Sequence, residues 1–197
     1  MRGTRFLSRR DPDLGQVVKS FGVPPMWARE AGFSTLLHII LEQQVSLASA
    51  RAAHNKLLQV ASPLTPRRFL RINDSTLKAV GFSRQKAAYG RHLAREIIDG
   101  RLDLEALKSK DDATVKSELL KVKGIGHWTA DIYLLMVLRR PDIWPTGDLA
   151  LAVAAQAVKR LSTRPTSREL AEISASWRPW RAVAARILWH YYLSALV

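Results

Sequence analysis

The chain contains no cysteine. Structural disulfides, thiolate zinc sites and iron–sulfur clusters held by thiolates are therefore excluded. Its five histidines, His38, His54, His92, His127 and His190, are scattered without ligand spacing, so no transition-metal centre is expected. No apolar run approaches the roughly 20 residues of a transmembrane helix, and the opening MRGTRFLSRR lacks the apolar centre of a secretory signal. A soluble, intracellular chain without membrane association is the expectation. Acidic residues are also scarce: 17 Asp and Glu stand against 31 Lys and Arg, a formal charge of +14. That imbalance favours a polyanionic partner, although charge alone leaves membrane surfaces and acidic proteins open.

Alternating strand patterns are missing as well, whereas apolar residues recur at helical spacing almost throughout the 197 residues. The expected fold is all-α, as one domain or two small helical lobes. Gly and Pro cluster at 22–25, 63–66, 81, 124–126, 141–147, 165 and 179 and divide the chain into helices of ordinary length. Phe33–Gln44, Leu47–Val60, Arg84–Asp99 and Leu149–Leu161 read as helices, and a last one contains Val183–Leu193. Asn73 or Asp74, and Asp111 or Asp112, are available as caps, while Thr166 and Glu169 have capping-box spacing. Residues 1–12 read as a basic N-terminal arm and 13–197 as the helical core.

The chemistry concentrates in LLKVKGIGHWTADIYLLMVLRRPDIWPTGD, residues 119–148. Gly124-Ile125-Gly126 separates the apolar-periodic segments Val115–Val122 and Trp128–Leu138. A tight hairpin there, within about 111–139, would place bare backbone amides at the head of the second helix, where amides bind phosphate. Pro145-Thr146-Gly147-Asp148 follows one helix and one loop later. This arrangement resembles the helix-hairpin-helix-Gly/Pro-Asp superfamily of DNA base-excision glycosylases, and within it the 3-methyladenine DNA glycosylase II branch. Two further segments carry the resemblance, Ile39–Ser46 (IILEQQVS) and SWRPWR at 176–181 followed by Trp189. It covers about Gly32–Leu193. Relatives such as endonuclease III usually hold a four-cysteine cluster, which this chain cannot.

The resemblance implies a two-lobed helical fold with the active site in the cleft between lobes, and a role for each matched residue. Asp148, directly before Leu149, would be the catalytic carboxylate that stabilises positive charge on the sugar; the plain alternative is a helix cap. Asp131 and Asp142 lack that context and read as surface and loop residues. Trp128 stands where lyase-competent relatives place a nucleophilic lysine, so water is the expected acceptor. Trp128 and Trp189 would line the base pocket with Ile132 and Leu149, the last two replacing tyrosines of the best-known members. Gln44 falls at the position of the wedge that fills the gap left by a flipped nucleotide, with Gln43 the poorer candidate.

Gly124, Gly126, Lys121 and Lys123 would contact phosphate, with Arg84 and Lys86 extending the DNA face. The main-chain carbonyls of Leu120, Val122 and Ile125 would hold a monovalent cation, and no other cofactor is implied. The β-rich domain that precedes the core in the best-known bacterial members is not expected, since only about thirty residues precede the matched region. The reading is a monomeric, monofunctional glycosylase of alkylated purines in damaged double-stranded DNA, cytoplasmic or nucleoid-associated in a bacterium. Its rivals are a glycosylase for deaminated or mismatched bases and a noncatalytic DNA-binding protein.

Overall fold

A computed structural model describes residues 2–196, all of whose regular elements are helical. They are α1 (Arg2–Arg10), α2 (Pro12–Phe21), α3 (Phe33–Glu42), α4 (Leu47–Val60), α5 (Pro66–Leu70), α6 (Asp74–Ala79) and α7 (Arg84–Ile98). After a 3₁₀ turn at Ala106–Ser109 come α8 (Asp112–Leu120), α9 (His127–Ile132), α10 (Leu149–Val158), α11 (Ser167–Ala175) and α12 (Arg181–Ala195). Most helix starts follow from local chemistry. Asn73 and Asp111 are the caps of α6 and α8, and Thr166 with Glu169 forms the complete reciprocal box at α11. No helix is long and apolar enough to cross a membrane among the described residues.

The chain divides into two compact units, residues 29–138 and the described parts of 1–28 and 139–197. This differs from the expected division at residue 12. Residues 2–10 form helix α1 instead of a basic arm, because Gly3, Thr4 and Leu7 recur on one face and are buried. The basic residues are the outer face of an amphipathic helix.

In the terminal unit, α1 packs on α2 and both meet α12, which also packs on α10. α12 buries Ala182, Ala184, Ala185, Ile187, Leu188 and Trp189, so it is enclosed on most sides. Asp11 ties the unit together. Its side chain caps α2, and it accepts hydrogen bonds from Trp177 Nε1 at 2.7 Å and Lys159 Nζ at 3.0 Å. Burial would raise the Asp11 carboxyl, but these donors outweigh it and its pKa lies below the ordinary value. Asp142, expected in a loop, accepts from the backbone and guanidinium of Arg181 at the start of α12.

In the central unit, α3 is the buried axis, packed on α4, α7 and α9. Glu42 at its end is 8% exposed, and Arg29 neutralises it through two hydrogen bonds of 3.0 and 2.7 Å. His38 and His54, far apart in sequence, stack with ring centroids 4.3 Å apart and planes 4° from parallel. His54 Nε2 lies 3.0 Å from Ser34 Oγ. Burial, with Arg29 and Arg51 near His38 and with His38 itself beside His54, pushes both imidazoles down to about 4, although Glu42 and Ser34 favour the charged form of His54.

A depressed folded pKa means that the unfolded chain takes up protons first as pH falls below about 6.5. Stability from the neutral pair is therefore complete above that value and declines toward pH 4. Chemical denaturation midpoints should fall steadily over this window, and His54→Gln should flatten the fall whatever its effect at pH 7. An unchanged slope in the variant would remove the pair as the cause.

Candidate active site and nucleic-acid interface

The glycine hairpin belongs to the central unit. α8 ends at Leu120, and two short backbone bonds follow, Val122 N to Leu119 O at 3.1 Å and Ile125 N to Val122 O at 3.0 Å. Ile125, 5% exposed, anchors the turn in the core while Lys121 and Lys123 are exposed beside it. The two glycines meet different demands. Gly124 has φ +96°, and a Cβ there would lie 2.2 Å from the Tyr89 ring. Gly126 has φ −96°, heads α9 without a side-chain cap, and a Cβ would meet nothing within 4 Å. The first is glycine for the fold, and the second leaves an open backbone surface at a helix start.

Gln43 fastens this hairpin to the end of α3. Its carboxamide nitrogen donates to Gly124 O at 2.8 Å and to Thr129 Oγ1 at 2.9 Å. Lys86 donates to the carbonyls of Leu41 and Gln43 at 2.6 and 2.9 Å, so this lysine, expected on the DNA face, closes the open end of α3. Burial lowers its pKa. Gln44 follows with φ +56° and an exposed side chain, between the fixed Gln43 and Ser46, which caps α4. A left-handed glutamine is uncommon and costs of order 1 kcal/mol or more, so the surroundings impose it.

Trp128 is half-buried in the first turn of α9, and Ile132, 2% exposed, lies one turn further along the same face. Asp131 is buried, not at the surface as expected, because Lys116 Nζ pairs with it at 2.6 Å. The helix continues through a π turn at Tyr133–Val137, closed by Leu138 N to Tyr133 O. As donors for a monovalent cation, the carbonyls of Leu120, Val122 and Ile125 are chemically suitable: Val122 O already accepts from Ile125 N but keeps a second lone pair. Among the described residues, no group of three or more His, Asp or Glu could hold a metal ion.

Asp148 belongs to the terminal unit. Trp144, 7% exposed, packs on Trp177 at 5.5 Å and holds the preceding loop. Asp148 N bonds to Pro145 O at 3.4 Å, and Gly147 between them has φ +80°, the value a type II turn requires at its third residue. This turn delivers Asp148 to the head of α10, where Oδ1 accepts from Leu151 N at 2.9 Å and from Trp189 Nε1 at 3.2 Å. Trp189 is 8% exposed, whereas Leu149, next to Asp148, is 62% exposed.

A residue that sequence reasoning missed stands behind Trp189. Trp27, with φ +44°, meets Trp189 edge-on at 6.5 Å and His190 at 6.4 Å. The buried Arg186 holds the adjoining Met26 carbonyl through Nε at 2.9 Å. The available signal was a tryptophan in the Pro24-Pro25-Met26-Trp27 segment, outside any helical pattern.

These features meet in one family. The chain belongs to the HhH-GPD superfamily of base excision DNA repair proteins, whose profile matches residues 37–179. It is 25% identical over 93% of its length to a DNA-3-methyladenine glycosylase of Bacillus subtilis, and spans 64% of that relative. An alkylbase DNA glycosidase-like protein of Schizosaccharomyces pombe is 25% identical and matched over 95% of this chain and 92% of its own. Among solved structures, the 3-methyladenine DNA glycosylase of Schizosaccharomyces pombe in complex with abasic DNA superposes with a TM-score of 0.93 at 25% identity, over 99% of this chain and 98% of that one.

The hairpin glycines are separable by measurement. Gly124→Ala should destabilise the fold by about 2–4 kcal/mol through strain at positive φ and collision with Tyr89. Gly126→Val should leave the denaturation midpoint nearly unchanged and weaken binding to lesion-bearing and undamaged duplex by similar factors. A Gly126→Val protein with normal duplex affinity would show that phosphate does not approach this backbone.

Proposed function

We propose that the chain is a monofunctional DNA glycosylase that hydrolyses the bond between deoxyribose and an alkylated purine, such as 3-methyladenine or 7-methylguanine, in double-stranded DNA. The observation that carries the reading is the Asp148 carboxylate, oriented by the Leu151 amide and the Trp189 indole at the head of α10. Alkylation makes the base a good leaving group. The protein then has to hold the nucleotide and stabilise the developing oxocarbenium charge, which a fixed carboxylate does without a strong general acid.

In this reading base recognition is assigned to Trp128 and Ile132 in the central unit and to Trp189 and Leu149 in the terminal unit. Ile132 and Leu149 cannot hydrogen-bond, and the one donor of Trp189 is engaged on Asp148. Such a set suits a cationic alkylated base, recognised by π faces and shape, better than a deaminated base read by polar groups. Gln44 is the wedge: its exposed side chain is presented from a fixed, left-handed backbone, and its amide can also hydrogen-bond the unpaired opposite base. Gly124, Gly126, Lys121 and Lys123 grip phosphate. A monovalent cation on the carbonyls of Leu120, Val122 and Ile125 would add positive potential there without sequence preference. The protein acts as a monomer.

Asp148→Asn should keep the fold and duplex affinity, because asparagine is an equally good helix cap. Single-turnover release of 7-methylguanine should fall by about 10²–10³-fold, the range found when an oriented stabilising group is lost. Near-normal release by the folded variant would overturn the catalytic assignment.

Trp128 supplies no amine, so the wild-type protein should leave abasic sites uncleaved and form no adduct with lesion DNA under borohydride. A trapped complex that survives denaturation would identify another amine as nucleophile and make the enzyme bifunctional.

A further inference from the structure

The outer face of α1 is chemically unlike the rest of the chain. Arg2, Arg5 and Arg9 recur at helical spacing with Phe6 among them, and all four are exposed. Together with Arg10 and Trp180 they line a groove of about 630 Å³. One of its rings, Trp180, is packed against the helix backbone. A Cβ on Gly3 would lie 2.8 Å from the Trp180 ring, so the α1 backbone rests against that indole. Arg10 donates through Nε to Ser176 O at 2.7 Å, with its guanidinium 5.9 Å from the centre of the Phe6 ring.

No acid of the neighbouring segment offsets this charge. Asp11 and Asp13, which follow the helix directly, are both taken by Lys159, at 3.0 and 2.6 Å. The first turn of α1 contains no acidic residue, so Arg2 and Arg5 oppose the helix dipole. Arg2 with Arg5 and Arg5 with Arg9 are like-charge neighbours three and four residues apart, an arrangement that destabilises a helix on its own. A bound polyanion reverses both penalties. All four cations are arginine, whose planar fork pairs with phosphate and stacks on rings.

We propose that this groove is a second DNA-binding site, specific for single-stranded DNA: Arg2, Arg5 and Arg9 hold successive phosphates, and an unpaired base stacks on Phe6. The combination of a basic track with an exposed aromatic ring is what single strands require, since only unpaired bases offer their faces. An acidic peptide would use the arginines and leave the rings without a role. None of these residues belongs to the glycosylase assignment.

The test is anisotropy of a labelled oligothymidylate and of an undamaged duplex over a range of salt, with the full chain. Arg5→Gln/Arg9→Gln should weaken oligothymidylate binding about 5- to 10-fold and reduce the slope of log K against log salt by about 1.4, the value for two single-strand phosphates. Phe6→Leu, which keeps an apolar side chain on a stable helix, should lower affinity for the oligothymidylate several-fold without changing the slope. Single-turnover base release at saturating enzyme should be unaltered in both variants. Unchanged affinity and slope in the arginine variant would overturn the site. Equal losses on oligothymidylate and duplex with no effect of Phe6→Leu would overturn its single-strand character, and competition by polyglutamate at equal charge would replace DNA by an acidic protein. A wild-type protein without base release would refute the glycosylase reading and leave this measurement standing.

Discussion

The carboxamide of Gln43 is the contact on which the geometry around the central unit's glycine hairpin depends. One nitrogen donates to the hairpin carbonyl of Gly124 and to Thr129 in the helix after it, while the Gln43 carbonyl accepts from Lys86. Three elements are thereby fixed to one residue: the end of α3, the glycine turn and the start of α9. Hydrogen bonds of this kind contribute only about 1 kcal/mol each, so their value lies in geometry more than in stability. The glycine turn and the left-handed Gln44 cannot shift independently while Gln43 holds both.

The other important side chains also work at helix ends. An all-helical fold satisfies its backbone internally except in the first and last turns, where orphan amides and carbonyls must find partners. Lys86 takes the carbonyls at the end of α3, Asp148 takes an amide at the head of α10, and Gly126 leaves the head of α9 without a side-chain cap. A DNA phosphate is a suitable partner for an uncapped helix start. In the proposed reading the head of α9 is the helix end left for a ligand, whereas the end of α3 and the head of α10 are closed from within the fold.

This explains what was legible in the sequence. Helices, caps and the hairpin depend on neighbours a few residues apart, so periodicity, Thr166 with Glu169 and Gly124-Ile125-Gly126 announced them. Asp148 was visible for the same reason, as an acid at the end of a Pro-Gly turn. Long-range partnerships left no local trace. Lys86 read as part of the DNA face, yet α3 ends within its reach, and Asp131 read as exposed, yet Lys116, fifteen residues away, covers it. Residues 2–10 read as a basic arm because of their charge, whereas Gly3, Thr4 and Leu7 form one buried face of a helix.

Asp148 shows why a structural role and a chemical role need not compete. As a cap it satisfies an amide of α10, and that bond and the Trp189 indole both fall on Oδ1. Trp27 in turn meets the Trp189 ring edge-on, and Arg186 holds the backbone before Trp27. A freely rotating carboxylate would have to be ordered as the sugar acquires charge, and that ordering would cost part of the stabilisation. In the proposed mechanism the cap bond does this ordering in advance, which is what electrostatic preorganisation requires. The strain at Trp27, whose φ of +44° an unconstrained chain would avoid, is consistent with the same demand. In the proposed mechanism that loop conformation helps to give the indole, and through it the carboxylate, one orientation.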